Sequence, residues 1–268
     1  MWRMGTGAGK GSAFSVRLSV IAITAVLYAV GKWITGYIQT PWGVGELLVG
    51  IFLPALMAVV CETVPVAIGA GLGTFIGDFG VPSTSPALSL VAGVPANFFA
   101  FLLFGWFVKK YKSWPSFVAA TVAFVTFGNL VAATLVYFFA FRLIGVHLAS
   151  SAILGLTVFW NTTSIPAIII AVPILIRAIS PLYGRSRILQ YRPEWSSTLV
   201  FRQTVLALVC AMAFVAFGAA IFFLAPSSGV VSEPGVFYFV LAAVLVVVFG
   251  PIANLLAGPR GMAKTAAT

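Results

Sequence analysis

Residues 37–78 read YIQTPWGVGELLVGIFLPALMAVVCETVPVAIGAGLGTFIGD. This stretch holds three of the five acidic residues in the chain, Glu46, Glu62 and Asp78. They border two apolar segments, 44–60 and 63–79, that meet at Cys61-Glu62. Both segments are short for a crossing, which takes about 20 apolar residues. A carboxylate beside such segments is costly unless it faces a cavity, a partner or the interface. The three acids therefore mark either helix ends or a polar site between helices.

The rest of the chain places this stretch in a membrane. Of 268 residues, 61% are hydrophobic and 7% charged, and the mean hydropathy is +1.12. A soluble exterior needs roughly 25% charged residues, so a soluble fold is excluded. The apolar runs are of helical length, whereas a membrane barrel would alternate over about 10 residues. Beyond the two segments above, the pattern predicts helices over 16–36, 87–108, 115–141, 148–176, 204–224 and 237–256. The fold class expected is an all-α membrane protein of eight helices. Its parts are a tail over 1–15, a six-helix membrane domain over 16–178, a basic connector over 179–203, a two-helix extension over 204–257 and a tail over 258–268.

The net charge of +10 raises nucleic acid as a partner, but its distribution argues for lipid instead. Basic residues fall in the short loops between apolar runs, as the positive-inside rule expects. With the N-terminus in the cytoplasm, thirteen of the fifteen Lys and Arg residues fall inside. Only Lys32 and Arg142 fall outside. Both termini are then cytoplasmic, and the connector with Arg185, Arg187 and Arg192 faces anionic head groups. Glu46 and Asp78 fall on the outer side and Glu62 on the inner side. Lys32 lies a turn inside a helix end and is expected to snorkel outward.

Each candidate residue has a plain reading and a functional one. Glu46, after Trp42-Gly43-Val44-Gly45, reads as a first-turn carboxylate favoured by the helix dipole, or as a site residue. Asp78 reads as an interfacial turn residue or a site residue. Gly69, Gly73 and Gly77 share one helix face and predict close helix packing. Asn97, Asn129 and Asn161 lie mid-segment and must find partners. They bond across helices or line a cavity. His147 is the sole histidine and falls in an outer loop. Cys61 and Cys210 read as small hydrophobes, with no metal spacing. Gly5 to Gly11 fails the phosphate-loop pattern. No nucleophile with a base, and no cluster of titratable groups at one depth, points to catalysis. The chain is expected to be no enzyme and to need no cofactor or metal.

Several features together resemble the substrate-binding S component of energy-coupling factor (ECF) vitamin transporters over roughly residues 15–180. They are the Ala25/Ala29 strip on the first helix, the aromatic loop 37–45, Leu53-Pro54-Ala55 and the glycine-rich helix ending Gly77-Asp78-Phe79. The resemblance implies a six-helix bundle that captures a vitamin or related heterocyclic micronutrient at the outer face of the cell membrane. It implies uptake driven by partners, a transmembrane T component and two ABC ATPases, with Ala22, Ala25 and Ala29 facing the T component. It implies a lid over 37–45, with Asn97, Asn129 and Asn161 reaching the ligand. Trp33, Tyr37, Trp42 and Trp160 would give stacking surface. Glu46 and Asp78 would favour a cationic or donor-rich ligand, thiamine-like rather than anionic. The two last helices depart from the six-helix pattern. The competing reading is a membrane scaffold without a ligand site.

Overall fold

The structure is a computed structural model that describes residues 10–37, 39–40, 42–81 and 84–193. The two helices expected over 204–224 and 237–256 lie outside the described residues, as do Cys210 and most of the connector. Among the described residues six helices run alternately up and down, and no strand forms. They are α1 (Lys10–Thr35), α2 (Phe52–Val60), α3 (Thr63–Asp78), α4 (Pro86–Tyr111), α5 (Trp114–Ile144) and α6 (Ser151–Ala178). Four of them, α1, α4, α5 and α6, are long and apolar enough to cross a bilayer. The protein is an all-α, membrane-embedded bundle.

The helix ends follow local chemistry. Ser85 caps α4 by accepting from the Leu88 N–H at 3.4 Å, and Pro86 occupies the first turn, where no N–H is missed. Ser113 and Pro115 start α5 in the same way, with Ser113 Oγ accepting from Ser116 N–H at 3.2 Å. Gly145, at φ +71°, closes α5 in the left-handed conformation that favours glycine. Inside α4, Pro95 removes one backbone donor and crowds the preceding turn. The helix widens just before it, into a π-turn over Ser89–Gly93.

The glycine ladder does pack closely, and its partner is α1. A side chain on Gly69 would meet the Ile21 carbonyl at 2.7 Å, one on Gly73 the Ala25 carbonyl at 2.8 Å, and one on Gly77 Lys32 Cδ at 2.9 Å. In lipid no hydrophobic force drives helices together, so contact at backbone distance is the main attraction. The ladder also sets the register. With Gly73 on Ala25 and Gly77 beside Ala29 and Lys32, the end of α3 must lie against the last turns of α1. This is also a correction. Ala25 and Ala29 are buried under α3, so that strip is used inside the chain, and of the three alanines only Ala22 is exposed.

The two ends of the bundle are packed differently. Toward Glu62, a dense core holds Val60, Val66, Phe101, Phe104, Phe117, Ile168 and Val172. Its rings meet edge to face, Phe101–Phe104 at 6.2 Å and Phe104–Phe117 at 6.0 Å. Residues 190–191 return to this end, where both backbone N–H groups donate to the Val60 carbonyl. Toward Asp78, a smaller cluster of Val44, Leu88, Ala92, Val136, Leu156 and Trp160 leaves space between the helices.

Candidate functional site

The segment 39–48 fills the depth that short α2 does not. Its backbone turns on itself: Thr40 N–H donates to Gly45 O at 3.1 Å, and Thr40 Oγ1 donates to Val44 O at 2.7 Å. Gly45 is held at φ +84°, and a side chain there would strike the Trp160 ring at 2.8 Å. Only glycine meets both demands. Glu46 then pairs with Gln39 in an isolated bridge, and Trp160 Nε1 donates to the Glu46 carbonyl at 3.1 Å. Glu46 is therefore not in a first helical turn. Left-handed Gly43 and Gly45 keep the chain extended through Glu46, and helical winding starts only at the 3-10 turn Val49–Ile51.

The loop carries Glu46 onto Lys32. Lys32 Nζ lies 2.8 Å from Glu46 Oε1 and also donates to Asp78 Oδ1. Lys32, Glu46 and Asp78 are 4%, 3% and 5% exposed. Lys32 therefore does not snorkel. The α1–α3 contact holds its stem under Gly77, and two carboxylates take the head. Three segments thus converge on one buried ion cluster: α1, the loop and the end of α3. Burial pushes the Glu46 carboxyl up, Lys32 pulls it down, and nearby Asp78 pushes it further up.

Beside this cluster lies a cavity of about 600 Å³ of empty space, its mouth included. Lys32, Glu46 and Asp78 form one polar side, with Thr74 and Thr84 next to them. Ser89, Gly93, Ala96 and Asn97 of α4 form a second wall, where the π-turn replaces a regular helix face. Gly128, Asn129, Ala132 and Val136 of α5 form a third. Leu88 and Trp160 add apolar surface. Asn97 Nδ2 donates to Thr74 Oγ1 at 2.9 Å, and Asn129 Nδ2 to Asn161 Oδ1 at 2.8 Å.

Of the nine residues read as substrate-binding, five line this cavity: Glu46, Asp78, Asn97, Asn129 and Trp160. Asn161 sits behind the wall and holds Asn129. Trp42 rests on Gly155 and packs into the cluster behind Trp160. Trp33 and Tyr37 do not line it. Trp33 Nε1 donates to Gly77 O at 2.8 Å on the flank of the bundle, and Tyr37 is 72% exposed. Both lie where an interfacial aromatic belt would put them, at and just beyond the end of α1. Reading the sequence missed Lys32, Thr74 and Ser89 as lining groups. For Lys32 a signal exists: it follows Ala25 by seven residues and Tyr28 by four, on the face that meets the glycine ladder.

At the opposite end, Arg17 Nε pairs with Glu62 Oε2 at 2.8 Å. Lys109 Nζ donates to the Cys61 carbonyl and, at 2.7 Å, to Thr63 Oγ1. These contacts tie α1 and α4 to the α2–α3 turn. Cys61 is buried, which pushes its thiol up to about 12 against the pull of Lys109, so it stays a neutral packing residue. His147 packs on the Phe141 ring at 3.8 Å. No group of three or more metal-ligating side chains occurs among the described residues. The chain matches no family model, no curated protein and no solved structure.

Proposed function

We propose that the chain is a membrane substrate-capture subunit of the ECF type, taking a vitamin or related heterocyclic micronutrient at the outer face for ATP-driven uptake by partner subunits. The observation that carries this reading is the cavity at the Asp78 end, where charged, amide and indole groups from six segments surround one space. Its position opposite the aromatic core supports capture rather than conduction, since that core fills the bundle between the cavity and the Glu62 end. Release inward then needs a partner that moves the bundle. The positive-inside pattern supports an outer position for the Asp78 end. The loop 39–48, pinned to Trp160 and Lys32, acts as the cover that a ligand must pass. The six described helices serve this role. The buried Ala25 and Ala29 leave the docking face to the outward side of α1, which includes Ala22.

The test is ligand retention. The full chain is purified in mild detergent and its small-molecule content read by mass spectrometry, beside Ala132→Phe, which fills the cavity from α5. The expected result is a bound heterocycle in the wild type and its absence in the variant. The scaffold reading, which the Asn129–Asn161 bond favours, predicts no bound molecule and no stabilisation by any vitamin in a thermal-shift panel.

A further inference from the structure

The charges at the cavity do not cancel. Lys32 brings one positive charge against two carboxylates, all more than nine-tenths buried. The groups that face them from the surrounding elements are Tyr28 of α1, Thr74 of α3, Asn97 of α4 and Trp160 of α6. None of these carries charge near neutral pH. Fully ionised, the cluster holds a net charge of −1 in a low-dielectric site. An uncompensated buried charge is strongly unfavourable, so something must neutralise it. In the empty cavity one proton on the Glu46–Asp78 carboxyl pair supplies that balance.

A second observation points to a ligand at the same place. Ser89 Oγ is buried, has no hydrogen-bond partner among the described residues, and lines the cavity. Ser89 is 6% exposed. A buried hydroxyl without a partner is costly unless a ligand or water completes it. Asn97 and Asn129 each give one amide N–H to Thr74 and Asn161, and neither amide oxygen receives a donor among the described residues. The lining thus offers two carboxylates and two amide oxygens as acceptors for a ligand.

We propose that the cavity binds a small organic monocation bearing N–H donors, a protonated amine or cationic nitrogen heterocycle, and releases one proton as it does so. This rests on the capture reading above and names its substrate class. The exchange balances: a cation enters, the carboxyl O–H of the cluster gives up its proton to water, and no other bond changes. The ligand charge takes the place of the proton beside Glu46 and Asp78, and its donors face the Asn97 and Asn129 oxygens. The sign follows. While the empty site is protonated, raising the pH by one unit raises the affinity about tenfold, and above that range the affinity is flat. A neutral ligand shows no slope. An anion, which must draw Lys32 from its carboxylates, binds more weakly as pH rises.

Isothermal titration calorimetry of the full chain in detergent tests this, with benzylammonium, benzyl alcohol and benzoate as probes of one size. Titrations run from pH 5.5 to 8.5 in two buffers of different ionisation heat. The expected result is benzylammonium binding at least tenfold tighter than benzyl alcohol, with about one proton released per probe bound and the stated pH slope. Glu46→Gln and Asp78→Asn each remove one negative charge and abolish both the preference and the proton release. The wild-type pH slope stands as evidence even where a variant fails to fold. Benzyl alcohol or benzoate binding as tightly as the amine, or no proton exchange, overturns the proposal while leaving the cavity as a site. If no probe binds and Ala132→Phe retains the same small molecule as the wild type, the capture reading falls and the proposal with it.

Discussion

Among the described residues two ion clusters form, one at each end of α3, and they are built to opposite ends. At the start of α3, Arg17 and Glu62 pair at 2.8 Å with the Arg17 side chain 59% exposed. At its finish, Lys32, Glu46 and Asp78 meet with almost no exposure. The first pair stays near water, so its attraction is screened and each partner can be solvated alone. The second has no such alternative: remove one member, and the others are left in the interior. The aromatic core beneath the exposed pair is closed, and the space beside the buried cluster is open. A buried charge cluster that lines a cavity is what a binding site requires and what a structural fastening does not.

The contrast breaks most sharply at Lys32. Lys32→Ala leaves two carboxylates buried without a cation, and the expected loss of stability is about 3–5 kcal/mol, read from thermal unfolding in detergent. Neutralising the whole cluster, as Lys32→Met with Glu46→Gln and Asp78→Asn, restores stability to near wild type while ligand binding stays lost. If the single variant is as stable as the wild type, the cluster is not the buried network described here. Gly73→Leu comes next. It drives a branched side chain into the Ala25 carbonyl and Tyr28 Cβ and costs at least about 1–3 kcal/mol by overpacking. It also separates Lys32 from Asp78, so binding falls with stability. Loss of stability without loss of binding would show that the ladder does not set the site.

Asn129→Leu sharpens the contrast on the cavity wall. As helix glue the Asn129–Asn161 bond is worth only about 0.6–2 kcal/mol in a bilayer. A modest fall in melting temperature with a tenfold or larger fall in ligand affinity places Asn129 in the site, and a fall in stability alone makes it glue. The smallest effect is expected at the exposed end. Glu62→Gln should leave both the melting temperature and ligand binding unchanged within error. A clear loss in either would mean that the two ends are not as different as their burial implies.

The long helices were legible from apolar run length, because a bilayer demands that length of any crossing segment. Residues 16–36 and 148–176 differ from the observed α1 and α6 mainly at their ends, where hydropathy has no sharp edge. The carboxylates Glu46 and Asp78 were legible as site candidates for the same reason, since acids near lipid need a cause. Lys32 was not. Reading helices one at a time, a lysine near an end snorkels; its burial depends on which helix covers that face. Only the meeting of Gly73 with Ala25 and Gly77 with Ala29 decides this, and it is a property of two segments together. The tryptophans divided similarly. Trp160 enters the site because Gly45, at positive φ, brings the loop onto it, whereas Trp33 lies over Gly77 and Gly80 on the flank of the bundle. Ser89 carries no charge and was invisible, although Pro95 in the same segment marks where α4 departs from regular winding.

The central claim is that the space at the Asp78 end is a ligand site. It is tested most directly by the small-molecule content of the purified full chain beside that of Ala132→Phe. The account predicts one heterocycle bound near one per chain in the wild type and none in the variant. An empty wild-type protein that no vitamin stabilises, or a variant that retains the same molecule, would contradict it.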